Sequence, residues 1–361
     1  MIPIAEPEIG EKELEYVIDA VKSGWVSSLG DYIKKFEKKF AEFCQTNYAI
    51  SCNNGTSALH LALLALGIGE GDEVILPTLT FATTANVVKY VGGKPILIDS
   101  EQETWNIDAV EIEKRITNKT KAIIVVHLYG LPCDMDLIMD IAKKYNLYVV
   151  EDCAEAHGAE YKGKKVGSIG DIGCFSFFGN KIMTTGEGGM CVTNNEKLKD
   201  KMELFKNHGM SKERTYWHSV IGYNYRMTNI QAAIGLAQLE KIDLFIEKKI
   251  NIANIYKREL KDLKNIQFMK EKSDRKNVYW MFNIFSEAKD KIRESLNQDG
   301  ISTRPLFIPL HLMPPYKSRE SFPMAEKFSL AGLTLPSSTK LTEEQIVKIC
   351  DIIKRVIYSA Q

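Results

Sequence analysis

The chain has 361 residues, 45% hydrophobic and 26% charged, with Lys+Arg and Asp+Glu each numbering 47. That length suits two domains around an extensive core, and a balanced charge with no long block of one sign argues against a nucleic-acid partner. No run approaches the ~18 apolar residues of a membrane span, and the first residues show no cationic-then-apolar leader pattern, so no membrane association and a cytoplasmic protein are expected.

Along the chain, short β-branched runs alternate with helical patterns. Residues 48–52 read as a strand and 58–66 as a helix stopped by Gly67. A second strand over 73–76 precedes a helical stretch over 83–90. Further apolar runs occupy 95–98, 122–127 and 147–151, with an amphipathic helix over 134–145 between the last two. Residues 171–178 and 190–193 add two strands, and 196–205 a helix ending near Gly209. The spacing of Ile230, Ile234, Ala237, Ile242, Phe245 and Ile246 predicts helix from 229 to 260 with a bend. Beyond about residue 250 the pattern changes to a strand over 278–285, a helix over 290–298, an extended stretch over 301–308 and a last helix over 343–357. Ser338 or Thr342 is placed to cap that last helix. Strands alternating with helices imply crossover units and a largely parallel sheet. The expected organisation is a large α/β domain over 1–250 and a smaller α+β domain over 251–361.

Seven cysteines, Cys44, Cys52, Cys133, Cys153, Cys174, Cys191 and Cys350, form no CxxC pair and lack metal-ligand spacing. Buried reduced thiols and no metal are expected.

The most informative segment runs from Gly170 to Met190. There Lys181 follows the aromatic run Phe175-Ser176-Phe177-Phe178-Gly179-Asn180 and precedes a glycine-rich return. An ammonium in an apolar setting is costly unless paired or neutral, and a neutral lysine is a nucleophile toward carbonyls. Taken alone, Lys181 also suits a surface loop. Asp152 ends the apolar run before it, at the carboxyl end of an expected parallel strand where such sheets bind ligands. It could pair with a protonated pyridine nitrogen, and Glu155 could reach a ring hydroxyl or substrate; a helix cap and a first-turn charge explain the same two residues. Asn54-Gly55-Thr56-Ser57 lies between a strand and an apolar helix. Free N–H groups there suit a phosphate as well as an ordinary cap. Phe81, at a strand end, is placed to supply an aromatic face, or to be core. A phosphate cradle, a strand-end Asp and then a Lys suit pyridoxal 5'-phosphate, whereas no Walker or dinucleotide spacing is present.

These motifs, with Gly24-Trp25-Val26-Ser27-Ser28, Gly222-Tyr223-Asn224-Tyr225-Arg226-Met227-Thr228-Asn229 and Pro309-Leu310-His311, resemble those of the DegT/DnrJ/EryC1/StrS sugar aminotransferases nearly end to end. The resemblance implies an aspartate-aminotransferase-type (fold type I) architecture and a homodimer with shared active sites. It implies that Lys181 forms the Schiff base with pyridoxal phosphate and shuttles a proton. Asp152 would hold the ring nitrogen, Glu155 would lie near the ring oxygen, and Thr56, Ser57 and Ser176 would grip the phosphate with Asn229 of the partner subunit. Trp25, Ser27, Ser28, Arg226 and His311 would approach the sugar nucleotide. The implied reaction takes an amino group from L-glutamate, through a pyridoxamine form, to C4 of a 4-keto-6-deoxy-hexose on a nucleoside diphosphate. A GDP-linked 4-keto-6-deoxy-mannose is placed first, and UDP- or dTDP-linked 4-keto-6-deoxyglucose stays open. A lysine at 181 disfavours the sugar dehydratases of the same fold, in which histidine replaces it. An idle scaffold or regulator would have let these site residues erode.

Overall fold

Apolar runs only five to seven residues long become strands, the central ones buried on both faces. In the computed structural model, which describes residues 1–359, the strands β1 (Tyr48–Cys52), β2 (Glu73–Pro77), β3 (Lys94–Ile98), β4 (Thr120–Val126) and β5 (Tyr148–Asp152) join β8 (Ile172–Ser176) and β9 (Gly189–Thr193) in one sheet. Its order is β1-β9-β8-β5-β4-β2-β3. The pairs from β3 across to β8 are parallel, and β9 runs antiparallel to both its neighbours. The short strands β6 (Glu160–Tyr161) and β7 (Lys164–Lys165) form a side hairpin joined by β10 (Arg275–Lys276).

Period-two alternation sorts the sheet's side chains to two cores. Val74, Leu76, Ala122, Ile124 and Val150 enter one cluster, while Ile75, Ile123, Val125 and Val149 enter the other. The first cluster is covered by helices α1 (Glu11–Lys22), α2 (Asp31–Cys44) and α3 (Gly55–Leu66), by α4 (Thr83–Tyr90), and by α7 (Glu196–Lys206) and α8 (Asn229–Leu239). The second is covered by α5 (Ala109–Ile112) and α6 (Met135–Tyr145). Helix α3 is apolar on nearly every side because it packs between the sheet and α4 and α7. Gly67 ends it at φ 76, a left-handed turn that glycine adopts without a Cβ clash.

A further core gathers α9 (Ile242–Leu260), α10 (Lys289–Gln298) and α12 (Glu343–Ser359) on a three-stranded antiparallel sheet. Its strands are β11 (Phe282–Phe285), β12 (Arg304–Pro305) and β13 (Gly332–Leu335), the last preceded by α11 (Pro323–Ala331). Residue 250 falls inside α9, which changes core there: Phe245 and Ile246 pack with the large sheet, and Ile252 to Leu260 with the small one. The chain start joins this small sheet side, since Ile2 bridges Ile301.

Three expectations need revision. The helix expected over 229–260 is two helices, α8 and α9, broken at Glu240–Lys241. Residues 278–281 are not strand, because Tyr279 takes φ 47 and turns Trp280 out of line. Only Arg304–Pro305 of the stretch 301–308 pairs as strand. Thr342, rather than Ser338, caps α12, accepting from the Gln345 N–H at 3.2 Å while Gln345 Oε1 accepts from the Thr342 N–H.

Candidate active site

The carboxyl ends of β2, β4, β5 and β8 open into a cavity of about 450 Å³, where parallel sheets gather ligand-binding groups. Lys181 enters it from the loop after β8. Its ammonium nitrogen lies 3.9 Å from the centroid of the Trp280 ring, and Trp280 is held by its indole N–H donating to Asn180 O at 2.6 Å. Burial lowers the Lys181 pKa, opposed by the nearby charges of Glu155 and Asp152. An amine so placed spends more time neutral than an exposed lysine.

Asp152, the last residue of β5, is buried beneath the cavity. One carboxylate oxygen accepts from the Thr84 hydroxyl at 3.0 Å and the other from the Ala154 N–H at 3.2 Å. Burial raises its pKa, and those two donors and Lys181 only partly offset the rise. Thr80 lies 3.2 Å behind Thr84, hydroxyl to hydroxyl. Glu155 accepts from the Tyr129 N–H at 2.6 Å, and burial lifts its pKa against the pull of Lys181. Two buried carboxylates of raised pKa beside an amine of lowered pKa form the pattern of a proton-transfer site.

At the other end, Asn54 caps α3 by accepting from the Ser57 N–H at 2.8 Å. The Gly55 and Thr56 N–H groups are left without partners among the described residues, at the positive end of a twelve-residue helix. A Cβ on Gly55 would lie 2.7 Å from the Ser176 Cβ, so only glycine lets the helix start close over that serine. The donor set fits pyridoxal phosphate: free helix N–H groups and hydroxyls of Thr56 and Ser176 for a phosphate, a buried carboxylate for a ring nitrogen, an aromatic face at Phe81, and one amine.

Of the expected residues, Gly55, Thr56, Phe81, Asp152, Glu155, Ser176 and Lys181 share this cavity. Ser57 does not line it; its N–H is spent in the cap. His311 also lies outside. Its ring is buried between the Thr78 hydroxyl at 2.8 Å and Glu326 at 3.1 Å, so within this chain it braces the segment leading to Phe81. Asn229 binds its own chain's 25–32 segment, donating to Trp25 O at 2.7 Å and accepting from the Tyr32 N–H at 3.0 Å. Gly30 makes room for that amide, which a Cβ would strike. Trp25, Ser27 and Ser28 lie on that segment, and Arg226 binds Asn224, Asn207 and His208; none of the four lines the cavity. Thr80, Thr84, Trp280, Arg304 and Phe307, not picked out as site residues from the sequence, also line it. Thr80 and Thr84 flank the Phe81 position, whereas Trp280, Arg304 and Phe307 come from segments far from Lys181 in the chain, with no local motif to mark them. Tyr129 does not line the cavity but supports it: at φ 54 it stacks on Phe307 at 5.3 Å while its N–H fixes Glu155.

The seven cysteines are all free and buried. His127, Glu151 and Cys153 lie close enough to suggest a metal cluster. Backbone N–H groups occupy the Glu151 oxygens instead, which marks the trio as structural. Among the described residues, no helix is long and apolar enough to cross a membrane.

The model of the DegT/DnrJ/EryC1/StrS aminotransferase family matches residues 7–354. An Escherichia coli O157:H7 protein named GDP-perosamine synthase is 53% identical over 356 residues, covering 98% of this chain and 97% of its own length. A protein of the same name from Caulobacter vibrioides is 46% identical over 364 residues, covering 99% and 98%. Among solved structures, Spr1654 of Streptococcus pneumoniae in its PLP form superposes with TM-score 0.93 at 29% identity, covering 100% of this chain and 99% of its own. The expected fold and cofactor are thereby borne out.

Proposed function

The chain belongs to the DegT/DnrJ/EryC1/StrS aminotransferase family as a pyridoxal-phosphate-dependent sugar aminotransferase, and from that premise we propose that it moves the amino group of L-glutamate to C4 of a nucleotide-linked 4-keto-6-deoxy-hexose. GDP-4-keto-6-deoxy-mannose is the first candidate, giving GDP-perosamine, because two relatives at 46% identity or more carry the name GDP-perosamine synthase. The observation that carries the proposal is Lys181 Nζ, packed on Trp280 and sharing a cavity with Asp152 and Glu155.

When bound, the cofactor supplies a carbonyl for the incoming amine and a ring that takes up the electron pair left by C–H cleavage. Gly55, Thr56 and Ser176 would hold its phosphate, and Phe81 would supply an aromatic face to its ring. Asp152, fixed by Thr84 and Ala154, would keep a proton at the ring nitrogen. Glu155, fixed by Tyr129, would face the ring oxygen. Lys181 Nζ carries the proton off the donor's Cα and, in the second half, onto C4 of the sugar. Trp280, Tyr129 and Phe307 stack into one aromatic wall beside the site, and keeping bulk water out there would strengthen each of these charges.

We place the working enzyme in the cytoplasm as a homodimer, with the 25–32 segment and Arg226 facing the partner's site. In favour of this, the large apolar side chains of Trp25, Leu29, Tyr216, Trp217 and Ile221 are exposed in the single chain. Asn229, holding the 25–32 segment, would then act by presenting it across the interface.

The test is to supply GDP-, UDP- and dTDP-linked 4-keto-6-deoxy-hexoses side by side with glutamate and the holoenzyme, and to identify the aminated product by mass and NMR. A C4 amine on the GDP sugar alone is expected. Faster turnover of a UDP or dTDP sugar would replace the substrate, and amination at C3 would overturn the regiochemistry.

A further inference from the structure

Arg304 stands on β12, pinned by the pairs Arg304↔Thr334 and Pro305↔Leu333. Three residues on, the Phe307 ring lies flat on Tyr129, and the Phe307 N–H donates to the Tyr129 hydroxyl at 3.2 Å. The base of the Arg304 side chain is therefore fixed, and its guanidinium, which lines the cavity, has no hydrogen-bond or ion-pair partner among the described residues. Among the described residues it is the one arginine lining the catalytic cavity. The other charged lining groups are Lys181, committed to the chemistry, and the carboxylates of Asp152, Glu155 and Glu187. An amino acid entering this cavity brings at least one carboxylate into a site that already holds three.

We infer that Arg304 anchors a carboxylate of the amino donor, aiming its amine at the cofactor. The inference rests on the donor assigned above. A planar guanidinium matches a carboxylate through two parallel charge-assisted hydrogen bonds. The donor's α-carboxylate is bonded to the reacting carbon and cannot lie outside the cavity. The diphosphate of the other substrate hangs from C1, across the hexose ring from the reacting C4, and is carried away from it. A free cation in the cavity wall therefore suits the donor better than the nucleotide.

The experiment separates the two half-reactions on the holoenzyme. Arg304→Gln should raise the L-glutamate concentration for half-maximal loss of the cofactor's visible band by about 10- to 100-fold, with Arg304→Lys between variant and wild type. Return of the band with keto-sugar nucleotide should move by less than about twofold. A readout without turnover is succinate, a dicarboxylate lacking the amine: it should raise the melting temperature of the wild type and not of Arg304→Gln. L-Glutamine tells the two carboxylates apart, since an equal loss with it assigns the α-carboxylate and a loss with glutamate alone the side-chain one. An unchanged glutamate dependence, or a loss confined to the keto-sugar half, would overturn the inference, the latter giving Arg304 to the diphosphate. If another amino acid bleaches the wild type and glutamate does not, the donor reading fails by itself, and Arg304 is judged by the same titration with that amino acid.

Discussion

Neighbouring carboxylates on β5 face opposite sides of the sheet and meet opposite fates. Glu151 is fully buried behind the sheet and has all its hydrogen-bonding capacity filled. It accepts from Ile169 and Gly170 N–H on one oxygen, and from Gly167 N–H and His127 Nε2 on the other, at 2.7 to 3.0 Å. His127 Nδ1 accepts from the Cys133 N–H, so Nε2 carries the proton given to Glu151. These partners hold the Glu151 pKa below its usual value despite burial. Asp152, one residue on, faces the cavity with one N–H and one hydroxyl, and its pKa is raised. Both are buried acids at the end of one strand. The satisfied one locks the 166–171 loop that leads into β8; the under-satisfied one keeps capacity for a ligand.

This contrast predicts that cavity-side changes cost activity and rear-side changes cost stability. The largest effect is Lys181→Ala, which should cut amine transfer by roughly 10⁴-fold or more with an unchanged far-UV spectrum and melting temperature. Residual turnover near wild type would remove Lys181 from the mechanism. Asp152→Asn should lose roughly 10²- to 10³-fold in kcat and none in stability, since it relieves a buried charge; a large drop in denaturation midpoint would class Asp152 with Glu151. Glu151→Gln should do the reverse, costing about 3 kcal/mol in chemical denaturation because four donors lose their anionic acceptor, while kcat of the folded fraction holds. Thr84→Val should cost about tenfold in kcat by freeing one Asp152 oxygen.

How far this contrast was legible in the sequence depended on locality. Lys181 follows a run of aromatic and small residues, and Asp152 ends a plain apolar strand, so both stood out. Glu151 carried no signal, because its partners at 127 and 167–170 come together only when β4, β5 and the loop before β8 pack. Trp280 and Arg304 approach from the small sheet, and Tyr279 breaks the expected strand with a left-handed backbone that no pattern announces. Helices α1 and α2 escaped a periodicity reading, α1 partly because its buried face holds Glu13. That carboxylate is paired with Lys241 and Gln238 across the interface to α8. Asn229 sits at the start of α8 as expected of a helix onset, yet its work within the chain is to tie down the 25–32 segment.

The smallest expected effect tests the rear of the site. His157 is buried against Phe175 and Phe177, and neither ring nitrogen has a partner among the described residues. Burial pushes its pKa down to about 3 from an ordinary 6.5, with the charge of Lys181 adding to the fall. Between those values the unfolded chain binds a proton that the folded chain refuses. Stability present above pH 6.5 is therefore lost as pH falls toward 3. His157→Phe should flatten that acid limb in melting experiments between pH 7 and 5; an identical slope would show that other groups set it.

The most direct test of the central claim, that the under-satisfied face of β5 and Lys181 form one amine-transfer site, is the visible spectrum of the holoenzyme through one cycle. The account predicts a cofactor band that bleaches on adding L-glutamate, with release of 2-oxoglutarate, and returns when the 4-keto sugar nucleotide is supplied. A band indifferent to every amino acid offered, in protein that binds the cofactor and is fully folded, would contradict it.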